Sequence, residues 1–180
     1  MLEDNFLMDI SAKHGYLEAV QELHLKGEKC SYRAMDLACR NGHYDVVLFL
    51  NSIGAQCTKD AMNYASCNGH LNIVKFLDLF RNEGCNTYAM DWAALNGHLD
   101  VFKWLHCNRK EGCTKFALKW ATSNGHFNIV EYMLSNNMCD LFDLYIARKI
   151  AREKKYKTIS KLLKKTIVTM EENQEEQMGW

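Results

Sequence analysis

The phrase Asn-Gly-His occurs four times in the chain, at residues 41–43, 68–70, 96–98 and 124–126. A weaker copy, His14-Gly15-Tyr16, precedes them, and from Gly15 onward the glycines lie 27, 27, 28 and 28 residues apart. Self-similarity at a fixed period of this length is typical of arrays in which one small unit stacks on the next. The chain is therefore predicted to fold as a stack of repeated units.

Each unit has the apolar spacing of two α-helices. Before each Asn-Gly-His phrase lie two alanines four residues apart, such as Ala61 and Ala65, with Met or Leu directly after the first. This spacing places small side chains on one narrow face, which allows close approach of helices. A second apolar set after the phrase, such as Ile73, Val74 and Leu77, predicts a second helix. Because the chain has no proline and no alternating apolar run, the predicted fold class is all-α.

Polar residues and glycines mark the predicted helix ends. Residues that can cap a helix N-terminus precede the first helices, at Ser31, Thr58, Asn86 and Thr114. Glycines follow both helices of a unit, where the backbone often turns into the left-handed conformation. These signals predict about six units, near residues 4–30, 31–57, 58–85, 86–113 and 114–139, with a cap at 140–167. Residues 168–180 are acidic and are expected to form a disordered tail.

The charge is balanced overall but uneven along the chain. Lys+Arg and Asp+Glu both number 22, so no global field favours nucleic acid or an anionic membrane. No apolar run approaches the roughly 20 residues that span a bilayer. Residues 148–165, however, carry nine Lys or Arg and one Glu, against 13 basic and 17 acidic residues in 1–147. We interpret this segment as the solvated face of a cap helix, the alternative being a docking surface for an acidic protein, RNA or a nuclear import receptor.

Five of the eight cysteines recur with the repeat, at intervals of 27, 28, 28 and 26 residues. They are Cys30, Cys57, Cys85, Cys113 and Cys139. Equivalent positions in stacked helices lie about 8–10 Å apart, which is farther than the roughly 4.4–6.8 Å between the Cα atoms of a disulfide. Reduced thiols are therefore expected, and with them a cytoplasmic or nuclear location.

The histidines of the Asn-Gly-His phrases form a ladder with the same spacing. Because they do not converge, they are predicted to make structural hydrogen bonds and not to bind zinc. His106 and Cys107 are adjacent in a predicted linker, but adjacency in sequence does not give the geometry of a nucleophile and its base. The sequence also lacks a glycine-rich phosphate loop. No catalytic residue, metal or cofactor is predicted.

A stripe of aromatic residues, Tyr64, Trp92 and Trp120, lies beside the alanines of the first helices. We interpret the stripe as core packing, because its counterpart in an earlier unit is Leu37. The alternative is a platform on which nucleic-acid bases stack.

Residues 89–106 resemble the core of an ankyrin repeat, and the resemblance covers about residues 5–167. It is strongest to the divergent ankyrin arrays of large DNA viruses and some protists, whose linkers look like 81–85 and 109–113. Ankyrin repeats usually have a period of about 33 residues and a Thr-Pro-Leu-His phrase, both absent here. The shorter period predicts an ankyrin-like solenoid in which the projecting fingers are reduced to tight turns.

The resemblance implies a monomeric, non-catalytic scaffold that binds another protein on its concave face, a host protein if the chain is viral. Positions on the first helices that point away from the alanines are expected to line that face. They are Tyr32, Arg33, Asp36, Lys59, Asp60, Asn63, Thr87, Tyr88, Asp91, Lys115, Phe116 and Lys119. Aromatic and Arg residues are the usual anchors of protein interfaces.

Two alternative functions stay open at this point. Viral ankyrin proteins often end in an F-box-like segment, which implies a ubiquitin-ligase substrate adaptor, although the usual Leu-Pro phrase is missing from a chain without proline. The basic cap provides the second, which is binding of nucleic acid or an acidic partner. Phosphate contacts weaken steeply with salt, so salt dependence would separate nucleic-acid binding from the others.

Overall fold

The computed structural model describes residues 7–178, which form twelve α-helices arranged in six consecutive pairs. The helices are α1 (Leu7–Lys13), α2 (Leu17–Leu25), α3 (Tyr32–Asn41), α4 (Tyr44–Ser52), α5 (Lys59–Cys67), α6 (Leu71–Phe80), α7 (Tyr88–Asn96), α8 (Leu99–Asn108), α9 (Lys115–Ser123), α10 (Phe127–Ser135), α11 (Leu141–Glu153) and α12 (Lys157–Met178). No strand occurs within this range. The predicted all-α solenoid is confirmed, except that residues 4–6 of the first predicted unit lie outside the described residues.

The helices form two layers. Odd-numbered helices pack against one another in one layer, and even-numbered helices lie in the other. Neighbouring odd-numbered helices contact each other more extensively than neighbouring even-numbered ones. Fully buried alanines such as Ala38, Ala65 and Ala93 explain this, because a methyl group lets helix backbones approach closely. The array therefore curves with the odd-numbered helices on its inner side.

A continuous apolar core lies between the two layers. Large side chains from both layers, including Met35, Leu50 and Phe102, are fully buried in it. One unit offers too few such residues to offset the conformational entropy of ordering about 28 residues, which costs on the order of 1.5 kcal/mol each. Stability therefore depends on the contacts between units.

The Asn-Gly-His phrase is one of these contacts. Asn68 Nδ2 and His70 Nε2 both donate to the carbonyl oxygen of Arg40 in the preceding unit, at 2.7 and 3.2 Å. The His70 ring lies against Gly42, whose φ is +81° and whose added Cβ would be 2.6 Å from the ring. The same ring–glycine contact joins Gly15 to His43, Gly69 to His98 and Gly97 to His126. The predicted structural hydrogen bonds are thus observed for His70, and also for His43 and His126.

Ion pairs stabilise two of the short turns between units. Between α8 and α9, Arg109 contacts Glu111 at 2.5 Å and Asp78 of the preceding unit at 2.7 Å. In the turn before it, Arg81 contacts Glu83 at 2.7 Å and Asn51 at 3.3 Å. Neither turn contains a strand, in keeping with the expectation that the fingers are reduced to tight turns.

The predicted tail differs from the structure. Residues 168–178 continue α12 as a helix, while Gly179 and Trp180 lie outside the described residues. The expectation of disorder over 168–178 is therefore wrong. Met, Glu and Gln favour helix over most of this stretch, and neither Gly nor Pro interrupts it. The Tyr145 hydroxyl on α11 also donates to the Glu171 carboxylate on α12, which ties this part of the helix to the array.

Candidate partner-binding surface

The solvent-facing side of α3, α5, α7 and α9 is called the inner face here. Tyr32, Tyr88 and Phe116 project from it with 51%, 49% and 41% of their surface exposed. Arg33, Lys59, Lys115 and Lys119 are exposed as well, while Asp60 and Thr87 are half-buried. Nine of the residues predicted for this face are thus accessible there, at least in part.

Aromatic rings on the inner face stack across two units. Trp92 lies parallel to Tyr88 and to Tyr64, with centroid separations of 5.0 and 5.9 Å and interplanar angles of 6°. The Arg40 guanidinium lies 5.3 Å from the centroid of the Tyr64 ring, within the range of a cation–π contact. We call Arg40, Tyr64, Tyr88 and Trp92 the ring stack.

A second, smaller pair extends the aromatic surface into the next unit. Phe116 and Trp120 stack at 5.1 Å, and the Lys119 ammonium lies 6.0 Å from the Phe116 ring. Aromatic surface with neighbouring cations therefore runs from α3 to α9 along the inner face.

The interpretation of Tyr64, Trp92 and Trp120 as core residues is wrong, because all three are half-buried. Each follows a buried alanine by three residues, which places it at the edge of the packed helix face. The rings are too wide to fit between helices that approach this closely, so part of each stays exposed. The sequence contained a signal for this partial exposure. Trp occupies this position in two consecutive units, and its ring is larger than the narrow interface between neighbouring first helices accommodates.

Three residues predicted for the inner face are buried instead. Asp36, Asn63 and Asp91 retain 6%, 0% and 1% of their exposure, and their assignment as displayed side chains is corrected. Each accepts a hydrogen bond from the start of the next unit. Asp91 accepts from both the backbone N–H and the hydroxyl of Thr114, each at 2.8 Å.

We call this arrangement the capping contact. Asp36 makes it with Thr58 at 2.9 and 2.7 Å, and Asn63 accepts from the backbone N–H of Asn86 at 3.3 Å. Burial raises the pKa of Asp36 and of Asp91, while the hydrogen bonds that each accepts oppose the shift. The recurrence of Asp or Asn two residues after the first alanine was the sequence signal for this contact.

The cysteines and histidines do not form a catalytic or metal centre within residues 7–178. All eight cysteines are unpaired, and burial raises the pKa of Cys57 to about 12 and that of Cys113 to about 11. The Tyr132 hydroxyl lies 2.9 Å from His106 Nδ1 and 4.0 Å from the Cys107 thiol. His106 and Cys107 lie in the last turns of α8, not in a linker as predicted. No group of three potential metal ligands occurs in the described range.

No helix within residues 7–178 is both long and apolar enough to cross a membrane. The longest, α12, has 22 residues but carries many charges.

Comparison with known proteins identifies the repeat. The family model described as "Ankyrin repeats (3 copies)" matches residues 61–144 and, in an overlapping register, 90–173, together more than half of the chain. The crystal structure of the human ASB11 ankyrin repeat domain superposes with a TM-score of 0.70 at 18% identity, over 88% of this chain and 82% of that one. No curated protein matches the sequence significantly. The chain belongs to the ankyrin-repeat family.

Proposed function

We propose that this chain is a non-catalytic scaffold that binds another protein on its inner face, with the ring stack as the main anchor. Ankyrin repeats are generally protein–protein interaction modules. The observation that carries the proposal is the parallel packing of Tyr64, Trp92 and Tyr88 at a partly exposed surface.

The ring stack suits an interface anchor for an energetic reason. Aromatic and Arg residues dominate the binding energy of protein interfaces. Ordering a mobile side chain on binding costs about 0.5–1.5 kcal/mol. Because Trp92 is already stacked between Tyr64 and Tyr88, it loses little further mobility when a partner covers it. The cost of ordering this side chain on binding is therefore reduced.

The charges around the rings favour one kind of partner. Four basic side chains are exposed on the inner face, namely Arg33, Lys59, Lys115 and Lys119. Of the acidic side chains predicted for this face, only Asp60 is not buried, and it is half-exposed. We therefore infer a partner segment that presents apolar or aromatic side chains flanked by acidic residues. Such complementarity speeds association and selects against basic partners.

We expect Tyr88→Ala combined with Phe116→Ala to abolish capture of the specific partner. Removing two anchors of this kind costs on the order of 2 kcal/mol or more each, which corresponds to at least about a thousandfold loss of affinity for the pair. Both side chains are about half exposed and neither belongs to the buried core, so the fold is retained. Affinity capture followed by quantitative mass spectrometry, and then titration of the captured protein, measures the effect.

The matched control is Leu79→Ala combined with Phe80→Ala. These residues are 74% and 59% exposed at the end of α6, in the outer helix layer. The control therefore removes a similar exposed apolar area from another surface. A partner captured equally by both double variants and by the unaltered chain would contradict binding through the aromatic side chains of the inner face.

Source and compartment are proposals of the same kind. We propose, from the resemblance of its repeats and linkers alone, a viral or protist chain that acts on a host protein. The eight unpaired cysteines support a cytoplasmic or nuclear location. No contact among residues 7–178 specifically favours a ubiquitin-ligase adaptor, and we do not propose that role.

A further inference from the structure

The last helical pair contains a cleft of about 460 Å³ between α11 and α12. Six basic residues line it, namely Arg148, Arg152, Lys155, Lys157, Lys161 and Lys164. Ala151 and Ser160 complete the lining, and no acidic residue contributes to it. The cleft is distinct from the ring stack, which lies on other helices.

Helical spacing explains why the cations converge. Arg148 and Arg152 are four residues apart on α11, and Lys157, Lys161 and Lys164 follow the same spacing on α12. Residues three and four apart share a helix face, so like charges there repel each other and destabilise the helix. Despite this cost, five such charges lie on the two helix faces that meet at the cleft.

Arg148 has an unmet hydrogen-bond donor. Its Nε atom is buried and has no partner among the described residues. A buried donor without an acceptor is unfavourable, and the guanidinium cannot lose its proton to relieve this. Glu153 lines a neighbouring cleft together with Arg148, but no carboxylate of the described residues pairs with Arg148.

Lys155 lies at a position where the five preceding units have glycine. Its φ is +61°, and the φ of the equivalent Gly125 is +76°. A side chain at positive φ is disfavoured for a residue such as Lys. Lys155 is exposed, and no helical pair follows α12 within residues 7–178, so its side chain has room there, but the unfavourable backbone conformation is still present. Such an outlier suggests a function for the side chain.

Even the role of a terminal repeat would explain only part of this arrangement. An end unit needs a polar outer surface for solubility, and side chains of either charge meet that need. Six cations around one cleft, an unpartnered guanidinium and a lysine in place of glycine are not required by it.

We propose that this cleft binds a compact polyphosphate anion, either free or as the headgroup of a phosphoinositide lipid. The volume falls within the roughly 300–1,000 Å³ of small-ligand sites. Phosphate oxygens match the bidentate donors of Arg148 and Arg152, and several phosphates in one small molecule balance several lysines. An extended nucleic acid fits less well, because residues 1–147 carry 17 acidic against 13 basic residues.

The test is titration of the full chain with inositol hexakisphosphate by calorimetry. We expect one saturable site, weakened by about tenfold or more in Lys161→Gln combined with Lys164→Gln, because charge-assisted contacts are lost. The matched control is Lys154→Gln combined with Lys165→Gln, which removes the same charge from exposed positions outside the cleft. Its effect should stay below about threefold.

Two further probes distinguish the sources of the anion. Phosphatidylcholine vesicles with and without phosphatidylinositol bisphosphate test the lipid headgroup, and a single-stranded RNA tests nucleic acid. The cleft is supported if the chain binds inositol hexakisphosphate, with or without binding of the phosphoinositide vesicles. In either case Lys161→Gln with Lys164→Gln must weaken binding more than the control, Lys154→Gln with Lys165→Gln. Equal weakening in the two variants, absence of a saturable site, or tighter binding of RNA would overturn the proposal.

Lys155→Gly gives an independent readout. Relief of the positive φ should raise the melting temperature by about 2–4 °C, while loss of the cation should weaken binding of inositol hexakisphosphate severalfold. A higher melting temperature with unchanged binding would show that Lys155 has no part in the site.

Discussion

Gly97→Ala is expected to lower the free energy of unfolding by about 3 kcal/mol, a large effect for the addition of one methyl group. Gly97 has a φ of +81°, and holding alanine there costs about 1–2 kcal/mol. The added Cβ would also lie 2.7 Å from the His126 ring of the next unit, and overpacking of this kind costs about 1–3 kcal/mol. Urea denaturation followed by circular dichroism measures the sum.

Gly54→Ala is the matched control. Its φ is +73°, but nothing lies within 4 Å of the added Cβ. Only the cost of the positive φ applies, so we expect the free energy of unfolding to fall by about 1 kcal/mol. Equal destabilisation by the two substitutions would show that the ring–glycine contact between units is not tight.

The double variant Gly97→Ala with His126→Ala separates the two terms further. His126→Ala alone removes a hydrogen bond of 3.0 Å to the Leu95 carbonyl oxygen, and it also removes the ring that the new Cβ would meet. The double variant should therefore be more stable than the sum of the single effects predicts. A coupling of about 1 kcal/mol or more between residues in contact is expected, and strict additivity would argue against the contact.

The Asn-Gly-His phrase shows which features of the fold can be predicted from the sequence and which cannot. Its spacing predicted the helical pairs, because periodicity and glycine turns are local properties of the chain. That the His70 ring lies on Gly42 of the preceding unit depends on the rise and rotation between units, which no local pattern specifies. The sequence therefore indicated a structural histidine but not the residue that it contacts.

The candidate binding surface was predicted less well. One residue is more exposed than expected, and another is more buried than expected. Trp92 was expected inside because it neighbours the buried alanines and its counterpart in an earlier unit is Leu37, yet its ring is too large for the narrow helix interface and stays partly exposed. Asp91 was expected outside because its position points away from the alanines of the first helix, yet the next unit needs an acceptor for its first N–H groups. In both cases the contact with a neighbouring unit overrides the preference of the single residue.

Asp91→Ala is expected to destabilise the array by about 2–4 kcal/mol. The substitution removes the acceptor of two hydrogen bonds from Thr114, and hydrogen bonds to charged groups contribute about 1.5–3 kcal/mol each before relaxation. It also leaves a small cavity at a side chain that is 1% exposed. Urea denaturation measures the loss, and faster hydrogen exchange at the Thr114 amide would localise it to the contact between α7 and α9.

The chain itself supplies the matched control, Asp91→Asn. At the equivalent place Asn63 accepts from the backbone N–H of Asn86 at 3.3 Å, so an amide fits this position in the fold. We expect Asp91→Asn to cost about 1 kcal/mol or less. A loss as large as that of Asp91→Ala would mean that the negative charge, and not the acceptor, sustains the capping contact.

The pH dependence of these variants tests the charge directly. Burial raises the pKa of Asp91 in the folded chain above its ordinary value of 3.8, so the folded state binds the proton more tightly than the unfolded state. The stability that this provides is complete below pH 3.8 and is lost as the pH rises through the folded pKa. Asp91→Asn cannot ionise, so the unaltered chain should lose stability relative to this variant over that interval and run parallel to it at higher pH. Because Asp36 is present in both proteins, its own raised pKa cancels from the difference. A relative gain of the unaltered chain with rising pH would instead mean that the hydrogen bonds from Thr114 outweigh burial and lower the pKa of Asp91.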